Sequence, residues 1–359
     1  MIPLYNPDIG ASELAAIEAV IDSGQVADGP EVREFEAEFA EFCGTSEAIA
    51  TSNGTTALHA GMEALGIGSG DYVVTTPLSF VSSANAIQFT GAEPLFADID
   101  PKTYNLDPAA VEQLFTEYGD DIAGVVAVHL YGLPADLAPI AALCDAYDAA
   151  LVEDAAQAHG AVYDGERVGS IGDIGCFSFY PTKNMTTSEG GMIVTDDESV
   201  ADRAASFVNH GRDDSGQHAT LGHNFRMTSI EAAIGRRQLE KLPTYIEQRR
   251  TNAAQLTEGL RNSVVDPPTE PDGRRHAYHQ YTVRTDCREA LRSFLSERDV
   301  QSGIYYPTCI HQEPAYGEFD VSAPVAERAT EEVVSLPVHP ELSSDDLKYV
   351  VDTIHAYDE

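Results

Sequence analysis

Tryptophan is absent from the 359 residues, and lysine occurs only 4 times against 17 arginines. Cysteine is scarce as well. Cys43, Cys144, Cys176, Cys287 and Cys309 stand apart with no Cys-x-x-Cys spacing, so neither a disulfide framework nor a zinc site is indicated. Positive charge is short: 21 basic residues face 59 acidic ones, a formal net charge of −38. Such an excess repels nucleic acid and anionic membrane surfaces and excludes a basic-groove binding function. No run approaches the roughly 18 apolar residues of a membrane span. The opening Met1-Ile-Pro-Leu-Tyr-Asn6 has neither a basic region nor an apolar core, so no signal peptide is read and a cytoplasmic protein is expected. The acids are spread from Glu13 to Glu359 rather than blocked. With lysine so rare, this predicts a halophilic protein, adapted to salt that screens the self-repulsion.

What is present centres on Lys183. It lies between two apolar, strand-like runs, Cys176 to Tyr180 and Gly191 to Thr195, which puts its amine in a loop inside the domain. Burial disfavours the ammonium form and frees a lone pair for attack on a carbonyl. Three polar clusters end neighbouring apolar runs. In Thr51-Ser-Asn-Gly54-Thr55-Thr56, Gly and Thr residues open a helix whose Leu58, Met62 and Leu65 recur at helical spacing. Exposed amides at that helix start, with the positive end of its dipole, make a phosphate seat. In Ala150-Leu-Val-Glu-Asp154-Ala-Ala-Gln157-Ala-His159-Gly160, a strand delivers an acid at its carboxyl end, where open α/β sheets place ligands. Ser178 adds a hydroxyl five residues before Lys183.

Each cluster alone has an ordinary reading: Thr55 and Thr56 as caps, Asp154 as an N-cap, Ser178 as a strand residue. Together they fit pyridoxal 5'-phosphate. That cofactor needs a lysine for its covalent link, a carboxylate to keep the pyridine nitrogen protonated, and donors for its phosphate. Phe80 supplies an aromatic side chain to pack on the ring.

These residues, with the runs from Ile21 to Pro30, Ser52 to His59, Gly91 to Pro101 and His223 to Ile234, resemble the DegT/DnrJ/EryC1/StrS family of sugar aminotransferases. The resemblance covers essentially the whole chain, Ile2 to about Ala356, with six stretches in the family's order. It implies a fold-type I transferase. It implies Lys183 as the residue bonded to the cofactor, Asp154 on the pyridine nitrogen, Gln157 near the ring hydroxyl and Phe80 stacked on the ring. Gly54, Thr55 and Ser178 would hold the phosphate, joined by Asn224 from a second subunit, so that a homodimer shares its active sites. Substrate would lie near Gln25, Tyr306 and His311. Arg226 would meet the diphosphate of a nucleotide-linked keto sugar, with Arg212, beside His210, as second choice; the partner substrate would be an amino-acid donor. His339 is read as either substrate-proximal or structural.

Three departures from the family pattern stand out. Ser188 replaces a common glycine after the paired threonines, Gln25 replaces an aromatic, and Cys309 replaces a common proline. The resemblance implies an enzyme that takes an amino group from glutamate and gives it to a 4-keto-6-deoxy sugar. Three rivals stay open. A sugar dehydratase on the same scaffold would carry histidine in place of Lys183. A regulator would bind cofactor without turnover. A carbon-sulfur lyase would want a reactive cysteine, for which Cys309 is the candidate.

The fold expectation is α/β, a mostly parallel sheet flanked by helices, because helix-like and strand-like runs alternate from about 52 to 195. Predicted strands are Tyr72 to Thr76, Leu95 to Ala97, Gly124 to His129 and Ala150 to Asp154; predicted helices start at Thr55 and Ser79 and cover Pro108 to Tyr118 and Ala135 to Ala146. The pattern changes after Arg237. A helix from Tyr245 to Leu260 precedes the proline-rich loop Asp266 to Gly273 and a strand from His279 to Arg284. This divides the chain into a large cofactor domain, 1–240, and a smaller C-terminal α+β domain, 241–359.

Overall fold

A computed structural model describes residues 1–317, 319 and 321–358, without the side chain of residue 358. Two helices come first, α1 (Ala11–Ser23) and α2 (Pro30–Cys43). Strands and helices then alternate: β1 (Glu47–Thr51), α3 (Gly54–Leu65), β2 (Tyr72–Thr75), α4 (Ser82–Thr90), β3 (Glu93–Phe96), α5 (Pro108–Tyr118), β4 (Ile122–Val128), α6 (Leu137–Tyr147) and β5 (Ala150–Asp154). A short hairpin, β6 (Val162–Tyr163) and β7 (Glu166–Arg167), leads to β8 (Ile174–Ser178) and β9 (Gly191–Thr195). Next come α7 (Glu198–Val208) and α8 (Ser229–Gly259), then β10 (Arg274–Arg275), β11 (Tyr281–Arg284), α9 (Arg288–Ser296), α10 (Pro324–Glu332), β12 (Val333–Leu336) and α11 (Ser344–Asp358).

Seven strands form one sheet in the order β1-β9-β8-β5-β4-β2-β3, parallel except where β9 runs against β1 and β8. The mostly parallel sheet expected from the alternation is present. Its strands are nearly continuous apolar runs because helices cover both faces. Val126, Val152, Ile174 and Ile193 pack with Leu58 and Met62 of α3 on one face. Phe177, Met192 and Val194 pack with Phe35, Phe39 and Leu239 on the other.

Local signals account for the elements that were predicted with correct ends. Asp107 accepts from Ala109 N at 2.9 Å and Pro108 occupies the first turn, so α5 starts where its cap and its proline dictate. The helix expected from Ser79 begins instead at Ser82, since Phe80 and Val81 form the turn that precedes it. The expected helix from Tyr245 is the second half of α8, a 31-residue helix with Pro243 inside it. Position 240/241 thus falls within α8, whose Leu239 and Leu242 join the core under the sheet. Its Ala253 and Leu256 join a separate core with Tyr281, Leu291 and Val350. Among the described residues no helix is long and apolar enough to cross a membrane.

Candidate active site

Strand register assembles the site. Thr51 pairs with Gly191, and Gly191 pairs with Ser178, so the end of β1, the start of β9 and the end of β8 form one row. Asp154 pairs with Cys176 on the adjacent strand, one pleat below Ser178. The connection from β8 to β9 carries Lys183. It is closed by Phe179 N to Gly190 O at 2.8 Å, Thr187 N to Phe179 O at 3.0 Å and Lys183 N to Tyr180 O at 2.9 Å. A lysine in a loop pinned at both ends sits at a defined height above the sheet.

Helix α3 starts beside Ser178. Asn53 caps it, accepting from Thr56 N at 3.0 Å, which leaves the first amides, those of Gly54 and Thr55, as helix-start donors. A β-carbon added to Gly54 would lie 2.7 Å from Ser178 Cβ, so glycine is required for the two segments to meet. Thr55 Oγ1 and Ser82 Oγ are 2.8 Å apart, joining the starts of α3 and α4. Backbone amides, two hydroxyls and a helix dipole therefore converge, as a phosphate requires.

Asp154 is 5 % exposed. Its Oδ2 accepts from Ser83 Oγ at 2.7 Å and its Oδ1 from Ala156 N at 3.2 Å. None of the ion pairs among the described residues involves it. A buried carboxylate held by neutral donors alone is suited to a cationic partner, such as a protonated pyridine nitrogen. Lys183 is partly exposed by area, yet the packed loop withdraws its amine from water and pulls its pKa down from 10.5 to about 8. The charge on Asp154 opposes that fall. Phe80, 55 % exposed, holds its ring 6.0 Å from that of Tyr306. Gln157 accepts from Tyr131 N at 2.7 Å and donates to the Tyr306 hydroxyl at 3.1 Å. The donor set fits pyridoxal phosphate: amine, isolated carboxylate, phosphate seat and an open aromatic face lie at one end of the sheet.

His311 is buried against Phe96 and lies 3.3 Å from Glu327. His339 is buried, and burial pulls its pKa down to about 4. Asn224 is exposed, in an isolated bridge with Asn209. Arg226 donates to Asn209 Oδ1 at 2.5 Å and bridges to Thr51, at the end of β1. Arg212 and His210 lie in the 209–224 loop, with Arg212 exposed. Gln25 lines a groove with Pro30, Ser229 and Arg237. Cys309 is fully buried and its thiol is pushed up to about 12, which removes the candidate for lyase chemistry.

Sequence reasoning gave no role to Ser83, Tyr131 or His159. The pair Ser79 and Ser83, four apart, was the available signal for the first. His159 follows Gln157 by two, is buried between Phe177 and Phe179, and is held down to about pKa 3 by burial and then by Lys183.

Residues 7–355 match the model of the DegT/DnrJ/EryC1/StrS aminotransferase family. The chain is 38 % identical to a pleiotropic regulatory protein of Geobacillus stearothermophilus, covering 95 % of this chain and 93 % of that one. It is 36 % identical to the UDP-N-acetyl-3-dehydro-α-D-glucosamine 3-aminotransferase of Acidithiobacillus ferrooxidans, over 95 % and 92 % of the two chains. Among solved structures it superposes on S. venezuelae DesV in complex with a ketimine intermediate, with TM-score 0.93, 36 % identity, and 97 % and 94 % of the chains covered.

Proposed function

The chain belongs to the DegT/DnrJ/EryC1/StrS aminotransferase family, and from that premise we propose that it moves an amino group from glutamate to a nucleotide-linked 4-keto-6-deoxy sugar. That it is a pyridoxal phosphate-dependent sugar aminotransferase follows from the family; the donor and the sugar are the proposal. The observation that carries the amino-transfer chemistry is the meeting of Lys183, Asp154 and the Gly54–Ser178 seat at one end of the sheet.

When bound, the cofactor supplies an electrophilic carbonyl and a ring that accepts electron density. Lys183 Nζ would hold the cofactor covalently, and its free amine would take up a proton in one half-reaction and return it in the other. With a pKa near 8, about one amine in ten is unprotonated at pH 7, against fewer than one in a thousand for an ordinary lysine. The Asp154 carboxylate would accept the pyridine N–H. The amides of Gly54 and Thr55 and the Ser178 hydroxyl would hold the phosphate, and Phe80 would cover the ring. Gln157 and Tyr306, tied to each other, border the substrate side.

For the sugar, the reading places Arg226 at the diphosphate. On a protein of net charge −38 an anionic substrate needs a local cation, and guanidinium suits two phosphate oxygens. Asn224 is read as reaching a second subunit's cofactor.

Purified protein given glutamate and a nucleotide-linked 4-keto-6-deoxy sugar should release 2-oxoglutarate and a 4-amino sugar. Arg226→Ala should raise KM for the sugar with little change in cofactor absorbance. Amination of free 2-oxo acids without any nucleotide keto sugar would overturn the sugar assignment. Cofactor binding with no turnover on any pair would favour a regulatory role, as the name of the Geobacillus relative suggests.

A further inference from the structure

Asp154 is oriented from a helix 71 residues away in sequence. Ser83, 1 % exposed on the first turn of α4, gives its hydroxyl to Asp154 Oδ2 at 2.7 Å, and Ser79, 5 % exposed, lies 3.0 Å from Ser83 Oγ. A serine hydroxyl has one proton. An ionised Asp154 can only accept, so the Ser83 proton points to it, and the proton between the two serines belongs to Ser79. The chain therefore runs in one direction, Ser79 to Ser83 to Asp154. Two aligned hydroxyls in a buried setting polarise each other.

The direction has a chemical effect at the carboxylate. A hydrogen bond donated to the charged form favours that form. When Asp154 shares a proton with the pyridine nitrogen, donation from Ser83 stabilises oxygen as anion and leaves the proton on nitrogen. Without it the proton moves toward oxygen and the ring loses positive charge. Ala156 N, at 3.2 Å, is a longer donor on the other oxygen and does not replace this bond.

We propose that Ser83, aligned by Ser79, is a positioning residue for the amino-transfer reaction: it pins Asp154 Oδ2 and keeps the shared proton on the pyridine nitrogen. The inference rests on the reading of Asp154 given above.

The test loads wild type, Ser83→Ala, Ser83→Cys, Ser79→Ala and Asp154→Asn with cofactor carrying 15N at the pyridine position, and reads the 15N shift. The apoproteins are melted in parallel; alanine is small and helix-favouring, so Ser83→Ala should melt within a few degrees of wild type. Expected is a protonated-nitrogen shift in wild type, lost in Asp154→Asn and displaced toward the unprotonated value in Ser83→Ala. Ser83→Cys, a weaker donor, should fall between, and Ser79→Ala should give a smaller displacement in the same direction. In Ser83→Ala kcat should drop about ten-fold with KM for the donor little changed. If Asp154→Asn leaves the nitrogen protonated, the Asp154 reading itself fails. If Asp154→Asn abolishes the signal while Ser83→Ala leaves shift and kcat at wild-type values, the role of Ser83 is wrong.

Discussion

Gly54 and Ser178 approach so closely that a methyl group on the first would sit 2.7 Å from the β-carbon of the second. The contact joins the first turn of α3 to the end of β8 and sets the width of the proposed phosphate seat. Gly54→Ala must push them apart. Cofactor affinity is expected to fall at least ten-fold, about 1.4 kcal/mol, as phosphate loses its helix-start donors. Titration of apoprotein with the cofactor measures this. Ser178→Ala, which removes one donor without displacing the helix, should cost less; equal losses would show that width is not the controlling feature.

Lys183 sets a pH dependence whose sign follows from its environment. Burial lowers its pKa to about 8, and Asp154 acts to raise it. Capture of the cofactor by apoprotein needs the free amine, so its rate should rise with pH to a midpoint near 8 rather than 10.5. Asp154→Asn removes the opposing charge and should move the midpoint lower. A native pKa below the unfolded one also means that the unfolded chain binds more protons between about pH 8 and 10.5. Apoprotein stability should gain from this group as pH rises through that window, and the buried ammonium should weigh fully below it. Stopped-flow absorbance across pH checks the first claim. Borohydride reduction should place the covalent adduct on Lys183 and not on Lys102, Lys241 or Lys348.

Ser188 occupies a left-handed backbone conformation, φ 78°, which favours glycine. A β-carbon there is strained, which costs roughly 1–2 kcal/mol, while glycine loses roughly 0.5–1 kcal/mol more on folding. Ser188→Gly should therefore melt slightly above wild type, and Ser188→Ala, which keeps the strain, should not. Calorimetry of the three proteins decides it. An alanine variant as stable as the glycine variant would show that the backbone relaxes.

The exposed 209–224 loop ends in Asn224, read as completing a neighbouring site. Mixing inactive Lys183→Ala with inactive Asn224→Ala, under conditions that exchange subunits, should restore part of the activity. No recovery despite proven exchange would mean that each site is built within one chain. With −38 charges per subunit, association should weaken as salt is withdrawn. A dimer equally stable in dilute buffer would count against adaptation to high salt.

Much of this protein was determined by the sequence itself. Asp107-Pro108 starts α5, apolar runs mark β5 from Ala150 to Asp154 and β9 from Gly191 to Thr195, and Lys183 stands out by its rarity. Caps, prolines and periodicity act within a turn or two of the chain, so they leave local marks. Tertiary structure alone decided the rest: the row of Thr51, Gly191 and Ser178, the passage of α8 through two cores, the burial of His311, and the bond from Ser83 to Asp154. Strand pairing and side-chain bonds between elements link residues far apart in the chain. Their energy depends on register and packing, which no window of sequence carries.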